Sequence, residues 1–333
     1  MRLTVTYNLR RQSREEGGEP GERVSLDAEY DSEETIAVLC EEIAALGHTV
    51  SRVEADERCA DALARSRPEL VFNMAEGQRG ASREAHVPAL CEMLGAACTG
   101  PGVLGAALCQ DKVTAKIVLG AKGVRTPRWV DVPVGELPSR TALPPFPLFV
   151  KPAREGSSMG ISPRSLVTTR EELHRQVTIV HQAYRQPALI ETFLPGREFT
   201  VGLVGNGDLE VLPVMEINHH AVPAGYPAVY SYQFKKEWDA DRFYLCPAPV
   251  DDRLAQELGD VARKSFAALE CRDVARVDLR LDAEGKVHVL EVNPLPGMAP
   301  AFSDLPRMAD AAGIGYRGLI ERILAAAVSR CGL

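Results

Sequence analysis

No stretch of this chain reaches the ~18 consecutive apolar residues that a membrane-spanning helix needs, so no place in a bilayer is expected. Its start, Met1-Arg2-Leu3-Thr4-Val5-Thr6-Tyr7, lacks the long apolar core of a signal peptide and reads as a strand; the expected location is the cytoplasm. Basic charge is in deficit, 38 Lys and Arg against 46 Asp and Glu, a net charge of −8. That excludes an extended nucleic-acid surface, because holding a phosphate backbone needs a basic excess on one face. The eight cysteines form no CxxC pair and have no histidine cluster nearby, which leaves reduced, mostly buried thiols rather than a zinc site or a disulfide frame. No repeat is visible, and no GxGxxG follows the first strand, so a dinucleotide site has no support there.

What is present is ordinary for a globular protein, 45% hydrophobic and 25% charged. At 333 residues the chain is long for one core, so two or three sub-domains are expected, with a single barrel as the alternative. Residues 2–7 alternate as a strand. Asp31-Ser32-Glu33-Glu34 is a helix start, and Ile36, Leu39, Ile43 and Leu46 make one apolar stripe before Gly47. A strand at Thr49–Val53, a helix at Glu57–Ser66 and a strand at Glu69–Asn73 follow, and this alternation implies a parallel sheet. Residues 8–25 read as a charged, mobile surface loop. After Gly100-Pro101-Gly102 one helical run to Gly120 carries Asp111-Lys112. The proline-rich "PVGELPSRTALPPFP" then reads as a joint between sub-domains, leading into a strand at Leu148–Lys151.

Three stretches carry chemistry. In "FVKPAREGSSMGI" a strand delivers Lys151, and Gly156-Ser157-Ser158-Met159-Gly160 supplies backbone N–H groups and hydroxyls able to close over an anion. No helix start follows, so this is a hairpin flap rather than a Walker A loop. In "ALIETFLPGREFTVGLV" Phe193 and Leu194 could flank a flat heterocycle while Glu191 and Glu198 accept hydrogen bonds; the plain alternative is a solvated edge with two surface glutamates.

In "ARVDLRLDAEGKVHVLEVNPLPGM" the turn Asp282–Gly285 separates two apolar runs, predicting a hairpin of 274–281 with 286–293. Pairing Leu281 with Lys286 sets Arg276 opposite Glu291 and Asp278 opposite Val289. Arg276, Asp278, Glu291 and Asn293 then share one face, and Val277, Leu279, Leu281, Leu290 and Val292 point into a core. Two carboxylates and an amide oxygen together suit a hard divalent cation such as Mg2+. An Arg276–Glu291 salt bridge is the alternative.

These residues reach a family. The chain resembles the ATP-grasp carboxylate–amine ligases, and among them the D-alanine–D-alanine ligase branch, through "VFNMAEG", "LCQDKVTAK", "FVKPAREGSSMG", "LIETFLPGREFTV", "LCPAPV" and "ARVDLRL…VLEVNPLPGM", in the family's order from about Val71 onward. The resemblance implies an α/β (α+β) chain in three parts: a Rossmann-like pre-ATP-grasp domain (1–100), a central ATP-grasp lid (101–190), and a C-terminal subdomain (191–333), with ATP held between two antiparallel sheets. It implies Lys112 and Lys151 on the phosphates of ATP, Glu191, Phe193, Leu194 and Glu198 on adenine and ribose, and Gly156, Ser157 and Ser158 in the closing loop. Asp278, Glu291 and Asn293 would hold two Mg2+ ions, for which Mn2+ could substitute. Arg276 would face the reacting carboxylate, with the Gly297 N–H beside it, and Lys235 would contact phosphate and substrate from a loop.

Activity, by resemblance, is phosphorylation of a carboxylate, attack by an amine and loss of phosphate. The departures fall at substrate positions: Glu76-Gly77-Gln78-Arg79 replaces the family's His-Gly stretch, Lys236 follows the loop lysine where tyrosine is usual, and "NPLPGMAPAFSDLP" replaces a small-residue run. Glu76 is a candidate for a substrate ammonium, and Arg79 or Arg83 for a second acidic group, unless these arginines and Glu84 are a solvated helix start. His219 and His220 are candidates for the acceptor side. Small-molecule acid and amine partners are expected, neither nucleic acid nor membrane, and a homodimer for which the apolar stretch 86–109 is the candidate interface. Two alternatives remain: phosphorylation of another oxygen acceptor, as in mycosporine-like assembly, and a catalytically silent ATP-binding module.

Overall fold

The computed structural model describes residues 1–11, 29–139, 143–221 and 243–333. The first sheet is parallel throughout, in the order β2-β1-β3-β4, from β1 (Arg2–Tyr7), β2 (Thr49–Glu54), β3 (Leu70–Asn73) and β4 (Ala97–Cys98). Four successive residues of β1 are buried, as a parallel strand covered on both faces requires. One face carries α1 (Glu33–Ala45), capped by Ser32, whose Oγ accepts the Thr35 N–H and which buries Ile36, Leu39 and Ile43. The other carries α2 (Cys59–Ser66) and α3 (His86–Leu94), packed around Leu63, Val71 and Val87. The alternation expected over 2–73 is therefore present. On α3, Met93 stays 83% exposed within the proposed dimer stretch.

The helical run to Gly120 is two helices, α4 (Val103–Gln110) and α5 (Lys112–Ala121). Asp111 between them is extended, and its side chain accepts the Thr114 N–H at 2.9 Å, so a short acid that competes for the backbone breaks the run.

The second sheet is antiparallel, β5-β8-β6-β7, from β5 (Trp129–Val132), β6 (Leu148–Pro152), β7 (Leu166–Val167) and β8 (Ala188–Thr192). Its apolar face is covered by α6 (Arg170–Tyr184), which starts with a Thr169–Glu172 capping box. The proline-rich stretch runs between β5 and β6 of this one sheet, so it does not join sub-domains. The boundary drawn at 190/191 falls inside β8, and the sheet ends at Thr192. Residues of α4 and α5, including Cys109, Ala115 and Leu119, pack into the core of the third sheet rather than this one.

The third sheet follows the order β12-β11-β9-β13-β14, with β10 beside β9. It comprises β9 (Glu198–Val204), β10 (Glu210–Val211), β11 (Met215–Ile217), β12 (Tyr244–Leu245), β13 (Val274–Leu281) and β14 (Val287–Asn293). One face packs on α5 and α7 (Asp252–Ala268). Toward its other face lie α8 (Asp304–Ala311) and α9 (Gly315–Cys331), and their Leu305, Leu319 and Ile323 share one core with Leu3, Val5 and Phe72 of the first sheet. Gly202 on β9 permits this closeness, since a Cβ there would lie 2.7 Å from Leu305 Cδ1.

The β13–β14 hairpin corrects the expected register. Leu281 pairs with Val287 because the turn takes up residues 282–286, and a bulge between Asp278 and Leu279 then adds a second step, so that Asp278 pairs with Glu291 and Arg276 with Asn293. The extra residue is Leu290. It turns toward the cleft instead of the core, while Val289 is fully buried. Arg276, Asp278, Glu291 and Asn293 still share one face, now as directly opposed pairs.

Candidate active site

A cleft of about 760 Å³ lies between the second and third sheets. Its apolar walls include Phe149, Phe193, Leu194 and Leu290, and its polar floor includes Lys151, Glu191, Glu198 and Arg280. Glu191 and Glu198 are 2% and 7% exposed, which rules out the solvated edge. Glu191 on β8 pairs with Lys151 on β6 at 2.7 Å and with Lys116 on α5. Burial alone would push Glu191 up; the two lysines outweigh it and hold the carboxyl below the usual range. Glu198 is approached at Oε2 by Arg280 Nη1 (2.9 Å) and His219 Nε2 (2.8 Å). The Arg280 guanidinium also lies over the Phe193 ring, 4.8 Å from its centroid. His219 thus stands against Glu198.

At the inner end, Arg276 donates to both oxygens of Asp278, at 3.0 and 2.9 Å, and its Nη1 lies 3.3 Å from Asp304. Its partners are these two acids rather than Glu291. Asp278 also accepts from Thr200 Oγ1 (2.7 Å) and from Asn293 Nδ2 (2.9 Å). Glu291 faces Lys112 Nζ at 3.3 Å. Burial would raise the Glu291 carboxyl, but Lys112, Lys151 and Arg276 hold it down at about 2; for Asp278 burial wins over Arg276 and the carboxyl is raised. Among the described residues no group of three or more His, Cys, Asp and Glu is placed to hold a metal. The donor set that is present, the opposed carboxylates of Asp278 and Glu291 with the Asn293 amide on the same face, offers hard oxygens and fits Mg2+, which usually keeps several waters.

The loop after β6 reaches this point from the other sheet. Ser157 (φ 45°), Ser158 (φ 60°) and Gly160 (φ 74°) are left-handed, a tight turn that strains the two serines. Glu155, just before it, is anchored three ways: its carbonyl accepts Lys112 Nζ (2.5 Å), and its carboxylate accepts Gln186 Nε2 (2.5 Å) and Arg83 Nη2 (3.1 Å). Arg83 also donates to Glu29 at 2.8 Å, and Glu29 accepts the Gly156 N–H at 2.5 Å. Arg83 is therefore spent on tying the first unit to this loop, and Arg79 is exposed and lies outside the cavities described here. Glu84 is buried, so the solvated helix start does not hold either. Glu76 lines a second cavity of about 690 Å³ that adjoins the cleft at Ser157, Arg276 and Glu291 and is also lined by Lys112, Gly156, Asn293 and Gly297. Gly297 suits a close approach, since a Cβ there would lie 2.8 Å from Ser303 Oγ.

Nearly all the residues singled out from sequence thus converge on two adjoining cavities. Lys235, Lys236 and the side chain of His220 lie outside the described residues, as do residues 12–25 of the expected loop. Lys116, Arg280, Thr200, Asp304 and Glu29 were missed. Lys116 had a signal, four residues after Lys112 and so on the same helical face, and Arg280 had one in continuing the alternation of Arg276 and Asp278. Asp304 and Glu29 had none, since tertiary packing alone brings them in.

Comparison with known proteins agrees with this geometry. The family "D-ala D-ala ligase C-terminus" matches residues 134–325, more than half of the chain. A D-alanine–D-alanine ligase of Syntrophotalea carbinolica is 36% identical over 286 residues, 85% of this chain and 87% of that protein. The uncharacterized protein y4sG of Sinorhizobium fredii is 36% identical over 288 residues, 84% of this chain and 82% of that one. In fold, the crystal structure of the Bacillus anthracis D-alanine–D-alanine ligase complexed with ATP superposes with a TM-score of 0.75 at 23% identity, covering 100% of this chain and 99% of the other. Among the described residues no helix is long and apolar enough to cross a membrane. The chain belongs to the D-alanine–D-alanine ligase family, the ATP-grasp carbon–nitrogen ligases.

Proposed function

We propose that this enzyme activates a carboxylate as an acyl phosphate at the expense of ATP and joins it to an amine, releasing ADP and phosphate. The observation that carries the reading is the face of Arg276, Asp278, Glu291 and Asn293, opposed in pairs across one hairpin and met by Lys112 from α5 and Lys151 from β6. Phe193, Leu194 and Leu290 give a flat base an apolar slot, with Glu191 and Glu198 at its polar end. Lys112 and Lys151 neutralise negative charge moving along the phosphates, and the Ser157–Gly160 turn offers N–H groups over them. Mg2+, held by Asp278, Glu291 and Asn293, supplies charge neutralisation at the transferred phosphoryl group when bound.

Two bonds form in turn. A carboxylate oxygen takes the phosphoryl group and ADP leaves; the amine nitrogen then attacks the acyl carbon, phosphate leaves and the nitrogen gives up a proton. Arg276 and the Gly297 N–H steady the negative charge on the tetrahedral carbon's oxygen. No covalent enzyme nucleophile is needed, so the cysteines stay structural. In this reading the second sheet is the lid. The test is phosphate release from ATP and Mg2+ with D- and L-amino acids, singly and in pairs, with product masses. An ADP-forming amide product is the expected result; ATP turnover that yields a phosphorylated product and no amide would overturn the reading.

A further inference from the structure

Residues 193–197 are the direct link between β8 of the second sheet and β9 of the third, and its first two residues, Phe193 and Leu194, line the cleft. One side chain of β13 holds this link from end to end. Arg280 is the cross-strand partner of Glu198, the first residue of β9. Its Nη1 donates to Glu198 Oε2 at 2.9 Å, its Nε donates to the Gly196 carbonyl at 3.2 Å, and its Cζ lies 4.8 Å from the centre of the Phe193 ring. The start of the link, its turn and the strand that follows therefore meet one guanidinium. Arg280 is 6% exposed and itself lines the cleft. The backbone adds to the attachment: the Gly196 N–H donates to the Leu281 carbonyl at 3.1 Å, and the Leu281 N–H to the Arg197 carbonyl at 3.0 Å. A Cβ on Gly196 would lie 2.6 Å from that Leu281 oxygen, so the turn comes this close to β13 because it is glycine.

Charge pairing alone does not call for this arrangement. A lysine would supply the charge, but its ammonium has no flat face for Phe193 and no fixed fork for two acceptors at once; the planar guanidinium has both. Glu198 is the group that the arrangement presents. Arg280 and His219 both meet its Oε2, no described residue donates to its Oε1, and the carboxylate lines the cleft. Burial would raise the Glu198 carboxyl, and Arg280 and His219 outweigh it, so the group stays an ionised acceptor. A hydroxyl of a bound ligand can donate to Oε1.

We propose that Arg280 is a positioning residue for the nucleotide: by clamping residues 193–197 it fixes Glu198 relative to the base slot beside Phe193, so that the cleft discriminates the sugar hydroxyls of ATP as well as its base and phosphates. The inference rests on the ligase reading and deepens it at the nucleotide end. Its physical basis is preorganisation. A base stacked in the slot and a sugar hydroxyl on Glu198 are satisfied together when the two protein groups keep a fixed separation, and the cost of ordering the link is then met in the fold rather than on binding. Without the guanidinium the link keeps its backbone bonds to Leu281, but the Phe193 ring loses its cation and Glu198, of its two described partners, keeps His219.

The test is calorimetric titration of the full chain, in Mg2+, with ADP and with its 2′-deoxy and 3′-deoxy forms. The wild-type chain should bind ADP about tenfold more tightly than at least one deoxy form, as a hydrogen bond to a charged acceptor requires. Arg280→Met, which keeps an apolar stem of similar length, should weaken ADP and bring that ratio to within about twofold, with the deoxy form affected less. Arg280→Lys should recover part of the affinity and little of the ratio. Glu198→Gln should also remove the ratio, and in that background Arg280→Met should change it no further, because Arg280 acts through Glu198. The double variant leaves no unpaired buried charge between the two positions, so it serves where the single one fails to fold. A role in stability alone would lower the melting temperature of Arg280→Met and leave the ratio intact; that result, equal binding of all three nucleotides by the wild-type chain, or a further loss in the Glu198→Gln background overturns the inference. The ligase reading fails separately: a phosphorylated product without amide removes it and leaves the Arg280 result standing, whereas a ratio retained in Arg280→Met beside an amide product does the reverse.

Discussion

Lys116 on α5 reaches the carboxylate of Glu191 on β8, so a helix packed against the third sheet is tied to the floor of the second. Glu191 has Lys151 as well, so Lys116→Met leaves it singly paired and buried. Removing one member of such a buried set costs about 3 kcal/mol or more. Denaturant unfolding should show that loss, and nucleotide titration should show weaker ATP binding, because α5 no longer holds the edge of the cleft. Unchanged stability would mean that Lys151 alone satisfies Glu191.

Glu291→Gln removes one of the two opposed carboxylates while keeping its shape. Turnover should be abolished, the melting temperature should stay within a few degrees, and Mg2+ should no longer raise the melting temperature in the presence of ADP. Retained activity would take the metal away from this hairpin.

Gly160 is left-handed (φ 74°), and a Cβ on it would lie 2.5 Å from Pro152 Cγ in β6. Gly160→Ala should cost roughly 1–3 kcal/mol of strain and shift the Ser157–Ser158 turn. The expected signature is a rise in KM for ATP greater than any fall in stability explains, read from kinetics alongside thermal unfolding.

Glu84 supplies a pH prediction. Burial, reinforced by Glu29 and opposed by Arg83 and Lys112, pushes its carboxyl from 4.5 up to about 8. The folded state therefore keeps a proton that the unfolded state loses near 4.5, and stability declines as pH rises between these values. Glu84→Gln should stabilise the protein at pH 8.5 by on the order of a few kcal/mol and have little effect at pH 4. Equal effects at both pH values would show that the side chain is ionised in the fold.

Much of this was legible in the sequence because it is local. Alternation sorted Arg276 and Asp278 from Val277 and Leu279, and the Ser32 cap and the stripe from Ile36 to Ile43 placed the first helix. What escaped was decided by context. The bulge that exposes Leu290 follows from pairing geometry, the break at Asp111 from one side chain bonding to its own backbone, and the second cavity around Glu84 from bringing together the turn before α3, the end of α4 and the loop after β6. The proline-rich stretch misled because proline marks a connection without saying what it connects.

The single core shared by β1, β3 and α9 has a consequence during synthesis. Roughly 220 residues separate the end of β4 from the apolar residues of α9. At about 5–20 residues per second, one face of the first sheet leaves the ribosome some 10–45 s before the helix that completes its cover. In the meantime that face has α1 alone over it, and the apolar surface that α9 later covers is a place for a chaperone to hold the nascent chain.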